Sequence, residues 1–200
     1  MEKAGVVYET LQPPFDQKTM DQLRATSDAW LAFKGGHELQ FSACYFSPSY
    51  IQRNPVAVAR DASGSIIAFT NMLVLRAGGP ATVDFMRYRP GTVDNVMDFV
   101  LIRTMQTLAE EGYRSLSLGG APLSDVGVWH SSRFAERFLH MFSTKAERIY
   151  NYRPEWQPRY IAYQHPWEWA SALVVNSRLV MARSRADRQR IALARAGQSR

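Results

Sequence analysis

The stretch ATVDFMRYRPGTVDNVMDFVLIRTMQTLAEEGYRSLSLGGAPL, Ala81 to Leu123, reads as one unit and decides the fold. Val83, Phe85 and Arg87 alternate with Asp84, Met86 and Tyr88, which is the period of a strand. Pro90-Gly91 stops it. Apolar residues at Val96, Phe99, Val100, Met105 and Leu108 then recur with helical spacing. Asp94 or Thr92 is placed to cap that helix and Gly112 to end it. Leu116 and Leu118 face one way in a short strand that runs into Gly119-Gly120. Strand, helix, strand with a helix of this length predicts a parallel crossover. Ligands in open α/β sheets collect at the carboxyl ends of such strands. Those ends carry Arg87, Arg89 and the Gly-Gly-Ala-Pro turn, so the active cleft is expected there.

The flanking sequence extends this unit on both sides. Gly5 to Glu9 reads as a first strand. Asp16 caps a predicted helix to about Phe33, with Met20, Leu23, Ser27, Trp30 and Leu31 on one side. Lys34-Gly35-Gly36 ends it. Ser47-Pro48 opens a brief helical turn. Val56 to Arg60 is a strand, Asp61 to Gly64 a hairpin turn, and Ser65 to Leu75 the returning strand. Beyond Leu123, a helix is expected at about 131–142. A hairpin is expected over 148–163, and a helical pattern from Trp167 to about Ala196. The fold class is therefore α/β: an antiparallel meander followed by a parallel crossover in a mixed central sheet flanked by helices. An amphipathic C-terminal helix follows. The expected domains are 1–164 and the basic segment 165–200.

Composition narrows the chemistry. An apolar content of 46% over 200 residues suits one domain with a genuine core, or one domain with an appendage. The single cysteine, Cys44, excludes an internal disulfide and a clustered-thiol metal site. It reads most simply as a small half-buried hydrophobe. His37, His130, His140 and His165 lack metal spacing. MEKAGVVYET has no apolar signal segment, and no run reaches the roughly 18 apolar residues of a spanning helix. The charge is localised: seven arginines against one acid, Asp187, lie between Arg178 and Arg200, which accounts for the whole formal excess of +6. Residues 1–177 are neutral overall.

The element order is that of the GNAT acyltransferase fold, and four motifs narrow it. PVAVARDASGSIIAFTNM, VDFMRYRPGTVDNVMDFV, EEGYRSLSLGGAPLS and ERIYNY with PEWQPRYIAY resemble the C-terminal cytosolic domain of phosphatidylglycerol lysyltransferases. These are the multiple peptide resistance factor family. The resemblance covers roughly residues 5–164. It implies transfer of an aminoacyl group, lysyl or alanyl, from charged tRNA to the glycerol hydroxyl of phosphatidylglycerol at the inner membrane face, which protects against cationic peptides. No cofactor is implied beyond aminoacyl-tRNA as co-substrate. The family's catalytic part is a pair of GNAT-like units behind a multi-span flippase domain. Within these 200 residues the resemblance is expected to leave the flippase domain and the first paired unit without a counterpart. An extra basic helix that the family carries between Tyr152 and Pro154 is also missing. Ser117 and Gly120 stand where the family has an asparagine and a larger residue.

Acyl transfer to an alcohol needs a proton acceptor for the hydroxyl and donors for the oxyanion and phosphates. Asp84 and Asp98 are the carboxylates of the central unit and the candidates for proton handling. Asp98 also fits a surface acid complementing the helix dipole. Asp84, within a central strand, must pair with an arginine or face the cleft. Arg87, counted with the catalytic residues, and Arg89 share a strand face and are expected to clamp an anion, or else to form structural ion pairs. Asn95 and the amides opening the crossover helix form a candidate anion site. Ser117, Gly119 and Ser124, in and beside the Gly-Gly turn, join Asn151 and Arg159 as candidate substrate contacts. The last two match the family motif.

Trp167, Trp169, Leu173, Val174, Leu179 and Val180 precede the arginine-rich segment. Tryptophan and arginine on one helix suit a membrane interface, and the same charges suit tRNA phosphates. The expected location is cytoplasmic, peripheral at the inner face of the membrane. Two other readings compete: a non-catalytic lipid- or tRNA-binding partner module, and a coenzyme A-dependent N-acetyltransferase. The second lacks its glycine-rich phosphate loop.

Overall fold

Two apolar runs joined by a tight turn form the centre of the sheet. Val56–Arg60 is strand β2 and Ile66–Val74 is β3. In this computed structural model of the chain, residues 5–34, 38, 45–74, 78–119, 152–158, 164, 165, 167, 168, 171, 174, 175 and 178 are described. Asp61 makes the turn: its Oδ1 accepts from the amides of Ser63 (2.9 Å) and Ser65 (3.0 Å), and Gly64 supplies φ +80°. Outside the pair lie β1, Val7–Leu11, on one side, and β4, Pro80–Tyr88, then β5, Ser115–Ser117, on the other. The order is β1-β2-β3-β4-β5, antiparallel throughout except for the parallel β4–β5 pair. The crossover between those two strands is α3, Val96–Glu110. The mixed sheet, the meander and the crossover are therefore as expected, with β1 two residues later in the chain.

The helices cover both faces. Helix α1, Gln17–Phe33, starts at Asp16, whose Oδ1 accepts from the amide of Thr19 at 2.8 Å. Its buried residues are Met20, Leu23, Thr26 and Ser27. Trp30 and Leu31, expected on the same stripe, are half-buried. The short helix α2, Pro48–Ile51, has proline in its first turn, where a missing N–H costs nothing. Met20 and Leu23 pack with Phe46, Ile51, Val56, Val58, Ile66 and Phe69. Thr26 ties α1 to the sheet through Oγ1 to the carbonyl of Ile66 at 2.7 Å.

On the other face Tyr8, paired with Ala59, reaches Thr104 of α3 at 3.2 Å. Ala57, Ala59 and Ala68 are fully buried and small enough to let that helix approach. The buried stripe of α3 is Val96, Met97, Val100, Leu101, Thr104 and Leu108. Phe99 and Met105, expected in it, are only half-buried. The helix begins after Asn95 rather than at Asp94 or Thr92, and Thr92 instead bonds the carbonyl of Arg89 at 2.7 Å. Gly112, at φ +85°, ends it as expected.

By internal contacts the chain forms two compact units, Met1–Ser117 with Gln164–Arg200, and Leu118–Tyr163. The expected helix at 131–142 lies outside the described residues. Of the 148–163 hairpin only Tyr152–Pro158 is described, and it is irregular. In the C-terminal segment Glu168, Ser171, Val174, Val175 and Arg178 are helical. No helix among the described residues is long and apolar enough to cross a membrane. Leu23 is the anchor of α1. Leu23→Ala should cost about 2–5 kcal/mol in denaturant unfolding, whereas a loss under 1 kcal/mol would mean α1 is not held by this cluster.

Candidate functional site

The chemistry-bearing residues gather where β3 and β4 fall out of step. Thr70 pairs with Met86, but Met72 pairs with Val83. Two residues of β4, Asp84 and Phe85, therefore stand opposite one residue of β3, Asn71. This is a β-bulge, and bulges re-aim side chains next to working sites. Strict alternation would point Asp84 away from Arg87. The bulge instead lets both reach the side of the sheet covered by α1 and α2. Asp84 Oδ2 accepts from the Tyr50 phenol of α2 and from Asn71 Nδ2 at 3.1 Å. Asn71 is fully buried, while Asp84 and Tyr50 are half-buried.

Arg87 is the other half of the cluster. Its Nη2 lies 2.9 Å from Glu38 Oε2, and its guanidinium sits 4.1 Å from the ring centre of Trp30. Arg87 is 5% exposed and Glu38 7%. Burial pulls the guanidinium's pKa below its ordinary value, and Glu38's charge and hydrogen bond oppose that shift. Glu38 Oε1 is buried with no hydrogen-bond partner among the described residues. The arrangement is an interior ion pair under an aromatic lid.

Of the two roles expected for Arg87, a clamp with Arg89 or a structural ion pair, the ion pair with Glu38 is formed. Arg89 is half-buried at the end of β4, where its amide bonds the carbonyl of Ile67 at 2.7 Å. It sits near the β2–β3 turn. The Asp61 carboxyl there is held below its ordinary value by the Ser63 hydroxyl, with the charge of Arg89 adding to the effect. Asp98 is half-buried in the first turn of α3. Asn95 is exposed, with φ 57° and no capping bond from its side chain. Ser117 and Gly119 are exposed, with Gly119 at φ +88°. Ser124, Asn151 and Arg159 lie outside the described residues. The structure thus brings Asp84 and Arg87 to one side of the sheet and leaves Arg89 by the hairpin turn.

A cavity of about 160 Å³ opens elsewhere, beside the carboxyl end of α3, lined by Tyr8, Met72, Leu108, Glu111 and Tyr113 among others. None of the described residues expected in the site lines it. Among the described residues no group of His, Cys, Asp or Glu is placed to hold a metal.

Sequence reasoning missed Tyr50, Asn71, Glu38 and Trp30 as parts of this cluster. Asn71 had a signal: an amide in the middle of an apolar strand needs a buried partner. Trp30 was read as core, and Glu38 stands beyond the glycines that end α1 with no pattern to mark it.

The family model described as phosphatidylglycerol lysyltransferase, C-terminal, matches residues 1–163. The chain belongs to that family. It is 33% identical over 189 residues to a phosphatidylglycerol lysyltransferase of Bacillus subtilis, covering 90% of this chain and 22% of the relative. It is 33% identical over 182 residues to one of Staphylococcus epidermidis, covering 86% and 21%. The chain thus spans about a fifth of the length of these curated relatives. Among solved structures, L-PGS of Bacillus licheniformis superposes with a TM-score of 0.78 at 31% identity, covering 91% of this chain and 57% of that one. A crystallised C-terminal domain from Agrobacterium fabrum gives 0.74 at 34%, covering 92% and 57%. These relatives share the mixed α/β architecture expected from the element order.

Two outcomes follow from the geometry. Glu38→Ala leaves the Arg87 charge buried and uncompensated, so unfolding free energy should fall by about 3–5 kcal/mol; an unchanged melting curve would contradict the interior pair. At Asn95 the left-handed backbone sets the preference. Asn95→Ala should lower stability by about 1 kcal/mol while Asn95→Gly does not, and equal losses in both would point to the side chain instead.

Proposed function

We propose that this chain is the acyl-transfer domain that moves an aminoacyl group, lysyl or alanyl, from charged tRNA to the glycerol hydroxyl of phosphatidylglycerol. The observation that carries this reading is the family match across residues 1–163. The site supports it with a half-buried carboxylate, Asp84, held beside a cluster of donors. Asp84 takes the proton of the lipid hydroxyl as its oxygen attacks the ester carbonyl. The ester bond to the tRNA ribose breaks, and the ribose oxygen leaves with a proton. Arg87 acts through its packing with Glu38 and Trp30, keeping β4 against α1. Asp98, Arg89, Asn95, Ser117, Gly119, Ser124, Asn151 and Arg159 remain the proposed second carboxylate and substrate contacts. No cofactor enters: aminoacyl-tRNA is the co-substrate, and a separate flippase domain or second GNAT-like unit is the proposed protein partner.

The C-terminal segment, 165–200, is the proposed contact with the inner face of the membrane. Trp167, Val174 and Val175 are 72%, 51% and 55% exposed, which suits an interfacial segment, and arginines follow them. Basic residues near an anionic surface contribute about 1 kcal/mol each.

The test is to incubate the chain with lysyl-tRNA or alanyl-tRNA and phosphatidylglycerol vesicles, then assay the lipid for the amino acid. Asp84→Asn should lower the rate by about 10²–10⁴-fold. Vesicle or tRNA binding without turnover would instead favour a binding module, a reading that the engaged Arg87 guanidinium also suits. Acetyl transfer from acetyl-coenzyme A would favour the acetyltransferase reading.

A further inference from the structure

We infer that Tyr50 and Asn71 are positioning residues that set the direction from which Asp84 takes its proton. This rests on Asp84 being the base proposed above. Both donors converge on one oxygen, Oδ2: the phenol from α2 and the amide, at 3.1 Å, from β3. Two bonds to one carboxylate oxygen fix the plane of the group, and so fix where the other oxygen points.

The two donors come from independent parts of the fold. Asn71 is fully buried at the bulge, where one β3 residue faces two of β4. An amide there cannot swing to solvent. Tyr50 is packed against the Met20, Leu23 and Phe69 cluster, and its backbone amide bonds the carbonyl of Ser47 at 3.0 Å. The carboxylate is thus held between a rigid strand and a proline-started helical turn. A base held in one orientation loses less freedom on reaching the transition state, which raises turnover rather than affinity. A residue placed only for packing would not show that signature.

The experiment uses the full chain in the lipid assay with wild type, Asp84→Asn, Tyr50→Phe and the double variant. Tyr50→Phe keeps the ring and removes only the hydroxyl, so folding is preserved, which a thermal melt verifies. Its kcat should fall roughly tenfold to a hundredfold, the worth of one bond to a charged group, with KM unchanged. In the Asp84→Asn background the same change should add nothing. Asn71→Ser removes the amide donor and leaves a small cavity, and should give the same split between kcat and KM. Wild-type kcat in Tyr50→Phe, with Asp84→Asn crippled, overturns the positioning role and leaves Asp84 as base. A parallel rise in KM, or an equal loss in the Asp84→Asn background, also overturns it. Full activity in Asp84→Asn overturns the base assignment and this inference with it.

Discussion

The cluster depends on a single extra residue. Between the Thr70–Met86 and Met72–Val83 pairs, β4 carries one residue more than β3. Without it, Asp84 and Arg87 would lie on opposite faces of the sheet, because side chains alternate with period two. With it, Asp84 meets Tyr50 and Asn71, and Arg87 meets Glu38 and Trp30, on the side that α1 and α2 cover. The bulge is retained because each displaced polar group finds a partner there. A buried amide or carboxylate left unsatisfied costs about 1–3 kcal/mol or more.

The helices explain why this side of the sheet is polar at one end only. Under α1 the packing is apolar, with Leu23, Ile51, Val58 and Phe69 fully buried. Toward the end of α1 the pattern changes: Trp30 is half-buried and serves as a platform for Arg87 rather than as core. A guanidinium tolerates such a place better than an ammonium, since it stacks on aromatic faces and is weakly hydrated. The ion pair with Glu38 is weak evidence of net stability, because desolvation offsets much of the attraction. Its effect is orientation: one interior pair with one geometry fixes β4 against α1.

How much of this was legible in the chain follows from what periodicity can and cannot report. The crossover of β4, α3 and β5 was plain, because Pro90-Gly91 and Gly112 punctuate it and the spacing changes between them. The caps were less plain. Asp16 starts α1 as its type suggests, but Asn95 starts α3 with a left-handed backbone and no capping bond from its side chain. The acids and arginines of VDFMRYR drew attention correctly as a group. Their faces were misassigned, since a bulge changes parity and leaves no mark in composition. Arg87 and Arg89 look like a fork because alternation does hold between them, while the partner of Arg87, Glu38, leaves no local mark. Glu38 lies some fifty residues earlier in the chain, and contacts at that separation are set by the packing of α1 on the sheet.

The proposed chemistry then divides between two places of different charge. Residues 1–177 carry no net charge, and Arg87 is neutralised by Glu38. With no net charge, residues 1–177 offer little long-range attraction to a polyanion such as tRNA or an anionic bilayer at physiological salt, where exposed charges act over only about 8 Å. Under the proposed function, the arginines after Arg178 supply that attraction. The neutral donors Tyr50 and Asn71 orient Asp84 at a smaller cost in basicity than a cation would. Under the proposed function, the sheet does the proton transfer and the tail supplies the affinity, and the bulge makes the first of these possible.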